Sequence, residues 1–188
     1  MTPPVQDPNF EARVRASFAR QNLNRLIGAT LTGVAPGAVE ITLPFREDLS
    51  QQHGFVHGGI VGAIVDSACG YAALTLSPPD AEVLTVEFKI NFVAPARGDR
   101  MIARGRVTKP GRTLSVCAGD VFGVSEGEER LIATTLATMM VMSGERPAPS
   151  RSGGQGHPSP VHRTPRRSRR WCVCRGRGLG RALRAIVL

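Results

Sequence analysis

The segment Gln51-Gln52-His53-Gly54-Phe55-Val56-His57-Gly58-Gly59 leads directly into a run of helical periodicity, and eight residues past Gly58 that run carries a single acid, Asp66. Two adjacent glycines at a helix start expose unpaired backbone N–H groups and let another molecule approach closely. The helix dipole behind them favours negative charge at that spot. Donors of this kind suit the oxyanion that develops when a nucleophile attacks an acyl carbonyl. Asp66 offers the complementary group, a carboxylate able to attack a carbonyl or to activate water. It is the only charged side chain from Gly54 to Pro79, and it shares a face of small residues with Gly59, Gly62, Ala63, Gly70 and Ala73. A lone carboxylate on an apolar helix is costly unless it is paired, hydrated or used. The plainer alternative is that Asp66 bonds neighbouring backbone or Ser67 and only fixes the packing.

Eight residues of helix separate Gly58 from Asp66 by roughly 12 Å along the axis. Nucleophile and oxyanion donor must meet at one carbonyl, with the attacking atom about 3 to 3.5 Å from the carbon. One chain does not easily supply both. Two antiparallel copies of the helix would, if Asp66 of one faced Gly58 of the other, so the spacing itself predicts a composite site in a two-fold dimer.

The elements that must position these residues follow from periodicity. Asn9 is placed to cap a helix over residues 10–20, where Phe10, Val14 and Phe18 recur four apart. Residues 27–34 and 39–43 alternate branched and polar side chains around Pro36-Gly37, the pattern of a β-hairpin. From Gly58 to about Leu76, Ile60, Val61, Ile64, Val65, Ala68, Tyr71 and Ala72 repeat at steps of three and four, and Pro78-Pro79 ends the helix. At about 1.5 Å per residue this helix is nearly 30 Å long, the width of a small domain, and needs a sheet around it.

Residues 83–94, 101–109, 113–124 and 131–142 read as long strands with turn-like breaks between them, each short enough to make successive strands antiparallel. In the first of them Leu84, Val86, Phe88, Ile90 and Phe92 alternate with Thr85, Glu87, Lys89 and Asn91, which predicts one buried face and one polar face. The expected fold is α+β, a long central helix wrapped by an antiparallel sheet of about six strands, plus a short N-terminal helix.

At 188 residues and 41% hydrophobic composition the chain accommodates one domain with an appendage. The net charge of +9 belongs to the appendage, because residues 145–188 hold eleven arginines and one acid while the preceding 144 are nearly balanced. The expected division is a folded domain over residues 1–143 and a disordered Arg/Pro/Gly-rich tail over 144–188, with a weak helix near its end. The tail is either a basic accessory, with nucleic acid as its conceivable partner, or the product of a shifted frame in a GC-rich gene. A membrane partner is not expected, since no 18-residue apolar run exists and the early Asp7 and Glu11 do not suit a signal segment. Cys69, Cys117, Cys172 and Cys174 frame neither a disulfide scaffold nor a zinc site, and a reducing cytoplasm is expected. His53 has no metal-ligand spacing, no serine nucleophile elbow is present, and neither a metal nor a cofactor is implied.

His57-Gly58-Gly59, then Asp66 nine residues after the histidine, then a helix and Val-Glu-Phe-Lys-Ile-Asn-Phe-Val-Ala-Pro-Ala resemble the hotdog-fold acyl-CoA thioesterases related to PaaI over residues 20–142. The resemblance implies a hotdog fold, a homodimer or homotetramer, and hydrolysis of an acyl-CoA to free acid and CoA. It makes Asp66 the nucleophile or general base, Gly58 N–H the donor to the thioester carbonyl, and His57 a residue that orders the turn. Gly59 would border the substrate. Gln51 stands where relatives commonly have asparagine, so Gln51 or Gln52 would take the amide's role. Thr85 stands where relatives place a hydroxyl near the reacting centre, and an ordinary strand threonine is the alternative. The turn holding Gly111 and Arg112 resembles the family's contact with the CoA nucleotide, a solvated turn being its alternative. The aliphatic lining suggests an aryl or medium-chain acyl group. A hotdog hydratase or dehydratase and a non-catalytic acyl-CoA-binding protein remain the other readings.

Overall fold

A computed structural model describes residues 5–143. The tail, with Cys172 and Cys174, lies outside the described residues. The helices are α1 (Phe10–Arg20), α2 (Asn22–Ile27) and α3 (Gly58–Leu74), and the strands are β1 (Thr30–Ala35), β2 (Ala38–Pro44), β3 (Ala81–Phe92), β4 (Arg100–Lys109), β5 (Leu114–Ser125) and β6 (Glu128–Ser143). The six strands form one antiparallel sheet in the order β1-β2-β4-β5-β6-β3. Among the described residues no helix is long and apolar enough to cross a membrane.

The sheet wraps α3, whose Val61, Ile64, Val65, Ala68 and Ala72 are buried with Ile41, Leu43, Met101, Ala103, Val121 and Ile132 from the strands. Two strand glycines set how closely the helix lies on the sheet. A Cβ on Gly105 would stand 2.3 Å from the Ala68 carbonyl carbon, and one on Gly119 would stand 2.6 Å from a Val65 methyl. Only glycine allows that approach. Cys69 and Cys117 lie wholly buried beside Ala73, Ala137 and Met139, as expected of small apolar side chains. Ala73, placed by periodicity on the open small-residue face, belongs to this cluster instead.

Helix α1 docks on the C-terminal end of α3. The Arg13 guanidinium, paired with Asp7 at 3.1 Å, donates to the Leu74 and Ser77 carbonyls at 2.9 Å each and to that of Pro78. The last turn of α3 carries no basic residue, so α1 supplies the cation and donors that its free carbonyls need. Asn9 occupies the cap position of α1 but its side chain makes no capping bond. Asp7 acts in its place, accepting Asn9 N–H on its carboxylate and Phe10 N–H on its carbonyl.

The hairpin around Pro36-Gly37 forms, but it starts at Thr30. Residues 22–27, whose Ile27 the branched–polar alternation places in the first strand, make α2 instead, which Gly28 closes in the left-handed conformation at φ 78°. A second departure concerns β3. It pairs with β6 rather than with its successor β4, so the break after it is a crossover and not a hairpin turn. Val93 N–H bonds the Ile132 carbonyl in the first third of β6, and Asp99 N–H bonds the Val124 carbonyl near the end of β5. The connecting residues, at up to about 3.3 Å each, have ample length to pass the strand spacings of about 4.8 Å that separate the two strands.

Being an edge strand, β3 also fails to show one buried face. Leu84 and Val86 are 50% and 54% exposed, and Phe88 is 44% exposed. Its register shifts between Thr85 and Glu87, a bulge that leaves Val86 without a partner on β6. Because side chains alternate with period two, one extra residue exchanges the faces of everything beyond it. Val83 and Thr85 point to the helix side before the bulge, and Phe88, Ile90 and Phe92 do so after it. This exchange shapes the site.

Candidate active site

His57 caps α3 with its own ring, at φ −60° and ψ 136°, its Nδ1 accepting Gly59 N–H at 2.9 Å. The His57 carbonyl takes the Ile60 and Val61 N–H groups. Gly58 N–H is left without an acceptor among the described residues. A helix start thus presents one open donor, and the cap that consumes its neighbour also fixes its direction.

Asp66 lies half-buried two turns on, with its Oδ1 accepting the Thr85 hydroxyl at 2.8 Å. Burial pushes the carboxyl above the ordinary carboxylate range, and the Thr85 bond works in the opposite direction. The β3 bulge is what lets Thr85 reach the helix while Phe88, Ile90 and Phe92 do so as well. Thr85 is therefore no ordinary outward strand threonine. Cys69, one turn further, is a thiol whose pKa burial raises strongly, and Cys117 is pushed up to about 12 by burial, so neither offers a thiolate.

Gly58, Gly59 and Asp66 open into one groove of about 500 Å³, lined further by Gln21, Leu23, Gly62, Ala63, Ser67, Phe88, Ile90 and Phe92. One wall is small residues of α3 and the other is the apolar side of β3 past the bulge. A second, smaller chamber of about 130 Å³ adjoins the other side of Asp66, and Ser17, Gln21, Ser67, Tyr71, Glu82 and Thr85 give it a polar lining.

Not every residue singled out from the sequence reaches the groove. Gln51 folds its amide onto its own turn, where Oε1 accepts His53 N–H, and Gln52 is exposed in the same loop. Neither lines the groove or the chamber of its own chain. Gly111 and Arg112 sit apart, bordering a pocket of about 310 Å³ with Gln6, Leu76, Ser77 and Pro78 near the C-terminal end of α3. A Cβ on Gly111 would fall 2.0 Å from the Leu114 carbonyl oxygen, which accounts for glycine there. Gln21 borders Asp66 and went unnoticed in the sequence, because nothing marks an amide between two helices as facing a carboxylate forty-five positions later.

The family model of the thioesterase superfamily matches residues 53–129, a span that holds His57, Gly58, Asp66 and Thr85. The crystal structure of a thioesterase family protein from Silicibacter pomeroyi is 50% identical, with a TM-score of 0.71, and covers 72% of this chain and 99% of that one. Human acyl-coenzyme A thioesterase 13 is 27% identical over 117 residues, 61% of this chain and 83% of that protein. The PaaI protein of the E. coli phenylacetic acid degradation operon shares the fold at a TM-score of 0.66 and 17% identity, covering 74% and 97% of the two chains. The hotdog architecture that the resemblance to the PaaI-related thioesterases implies is thus the one found, and this chain belongs to the thioesterase superfamily, as an enzyme that hydrolyses thioesters.

Proposed function

We propose that the protein hydrolyses an acyl-CoA to the free acid and CoA, with Asp66 as nucleophile or general base and Gly58 N–H as the oxyanion donor. The observation that carries this reading is the half-buried Asp66, held by Thr85, opening into the same apolar groove as the unpaired Gly58 N–H. A carboxylate whose pKa is raised by burial is a better base than a free one, and a helix-start N–H in an apolar groove stabilises developing charge. The product carboxylic acid gains its hydroxyl from water, and the CoA sulfur leaves with the proton. His57 orders the turn through Gly59 N–H. Phe88, Ile90, Phe92 and Leu23 suit an aryl or medium-chain acyl group. Arg112, exposed beside Gly111, is assigned to the nucleotide phosphates, and Gln51 or Gln52 would act only on the groove of a partner subunit.

The active form in this reading is a two-fold dimer, alone or paired into a tetramer. Gly58 and Asp66 share a groove yet remain two turns apart, too far for one carbonyl. Strand β3 supports the same conclusion, since it is a twelve-residue edge with exposed apolar side chains, a surface that natural proteins usually cover or pair. The buried free thiols Cys69 and Cys117 are consistent with a cytoplasmic setting.

Thiol release from a panel of aryl and aliphatic acyl-CoAs, compared for wild type and Asp66→Asn, tests the assignment. Wild type is expected to turn over part of the panel and the variant to lose at least about 100-fold in kcat while folded. An inactive wild type, or a fully active variant, overturns it.

A further inference from the structure

Gln21 lies in extended conformation between α1 and α2, and it is half-buried against the middle of α3. Its side-chain oxygen is committed twice, accepting from the Asn24 amide and from the Tyr71 hydroxyl at 3.4 Å. Asn24 is 1% exposed, and Arg13 locks α1 to the end of α3, so the residue is held from both sides. With Oε1 engaged, Nε2 is the end of the amide left to donate, and it has no acceptor among the described residues. Asp66 shows the matching deficit: Thr85 serves Oδ1, and Oδ2 has no donor among them.

These two half-satisfied groups meet at the same place. Gln21, Asp66 and Ser67 line both the apolar groove and the polar chamber, forming the partition between them. A chamber of about 130 Å³ has room for ordered waters. Its polar lining would hold them where the acyl groove would not.

We infer that Gln21 positions the hydrolytic water, its Nε2 donating to a water that Asp66 Oδ2 binds where the chamber meets the groove. The inference rests on the acyl-CoA thioesterase reading above and holds for both of its routes. With Asp66 as base, the water oxygen bonds to the thioester carbon, its proton passes to Asp66 and then to the departing sulfur. With Asp66 as nucleophile, the same water attacks the resulting anhydride and frees the carboxylate. Gln21 thereby supplies an amide from the same chain as Asp66, where Gln51 and Gln52 lie outside the groove and could serve only that of a partner subunit.

The charged and titratable groups around Asp66 are few enough for a pH profile to be read. Glu82 of β3 borders the chamber, Arg20 of α1 and Ser17 act on Tyr71, and the neutral thiols of Cys69, on the buried face of α3, and Cys117, on β5, lie beyond it. Gln21→Met keeps an unbranched side chain of similar length and deletes the donor. Tyr71→Phe keeps the ring and deletes one anchor of the amide. Both are measured with wild type and Asp66→Asn for kcat, KM, the acid limb of the kcat profile and thermal midpoint. The expected result is about a tenfold fall in kcat for Gln21→Met with KM within about twofold, and an acid limb moved to higher pH because the carboxylate has lost a donor through water. Tyr71→Phe is expected to move both in the same direction by less. A merely structural glutamine would lower the thermal midpoint and leave the limb in place. If Gln21→Met folds and both kcat and the limb stay with wild type while Asp66→Asn is inactive, the role of Gln21 is overturned and the thioesterase reading survives. A wild type inactive on every acyl-CoA overturns both.

Discussion

Replacing Gly58 by proline deletes the N–H assigned to the oxyanion and little else. Gly58 is the first residue of α3. Proline is favoured at that position, since the helix does not use the N–H there and the ring fixes φ near −65°. The preceding His57, at φ −60° and ψ 136°, already has the extended backbone that a residue before proline must adopt. No internal hydrogen bond is lost, because Gly58 N–H has no acceptor among the described residues. A new Cβ would meet Phe92, whose Cζ would stand 3.1 Å from it, and a groove-lining ring can yield that much. Stability should change by less than about 1 kcal/mol. Loss of an oxyanion donor costs roughly 100- to 1,000-fold in kcat, about 2.7 to 4 kcal/mol. The assay is thiol release at saturating acyl-CoA beside thermal unfolding, and a folded Gly58→Pro with kcat within threefold of wild type refutes the oxyanion role. The same variant tests the composite site. Mixed with Asp66→Asn after subunit exchange, about half of the dimers are mixed and each has one intact site, so activity returns to about a quarter of wild type. No recovery in demonstrated mixed dimers would mean that each chain carries a whole site.

Thr85→Val removes the hydroxyl on Asp66 Oδ1 and keeps the shape of the strand; the acid limb of kcat/KM should move to higher pH, with activity at pH 6 falling further than at pH 8, and an unmoved limb would show that Thr85 does not govern the carboxylate. Asp66→Asn should raise the thermal midpoint at pH 7 while abolishing activity. Burial raises the folded-state pKa of Asp66, so its contribution to stability is full below the unfolded value of about 3.9 and is lost as pH rises through the folded one. The advantage of the asparagine should therefore vanish in acid, and a midpoint lower than wild type at pH 7 would contradict the burial argument. Gly105→Ala, whose Cβ would stand 2.3 Å from the Ala68 carbonyl carbon, should lower stability by about 3 kcal/mol in urea unfolding, whereas an unchanged midpoint would mean that α3 can lift off the sheet freely.

Most of the scaffold was legible because it is written in local pattern. The helix of residues 58–74, the Pro36-Gly37 hairpin and the long strands 81–92, 100–109, 114–125 and 128–143 each have a period that a window of ten residues reveals, and Asp66 stands out as the one charge in an apolar helix. What escaped depends on pairings between distant segments. Periodicity shows that β3 is a strand, but its place beside β6 is set by the whole sheet, and with it the exposure of Leu84 and Val86. The bulge is equally silent in sequence, since Leu84 to Phe92 alternates without a break and only the register against β6 reveals the extra residue. Yet that residue decides the site. Without the shift, a strand that turned Thr85 toward Asp66 would turn Glu87, Lys89 and Asn91 into the groove. With it, Thr85 steadies the carboxylate and the next three helix-facing residues are Phe88, Ile90 and Phe92. One irregular position in an edge strand thus supplies a polar grip for the acid and an apolar wall beside it, the two environments that the chemistry proposed for Asp66 requires.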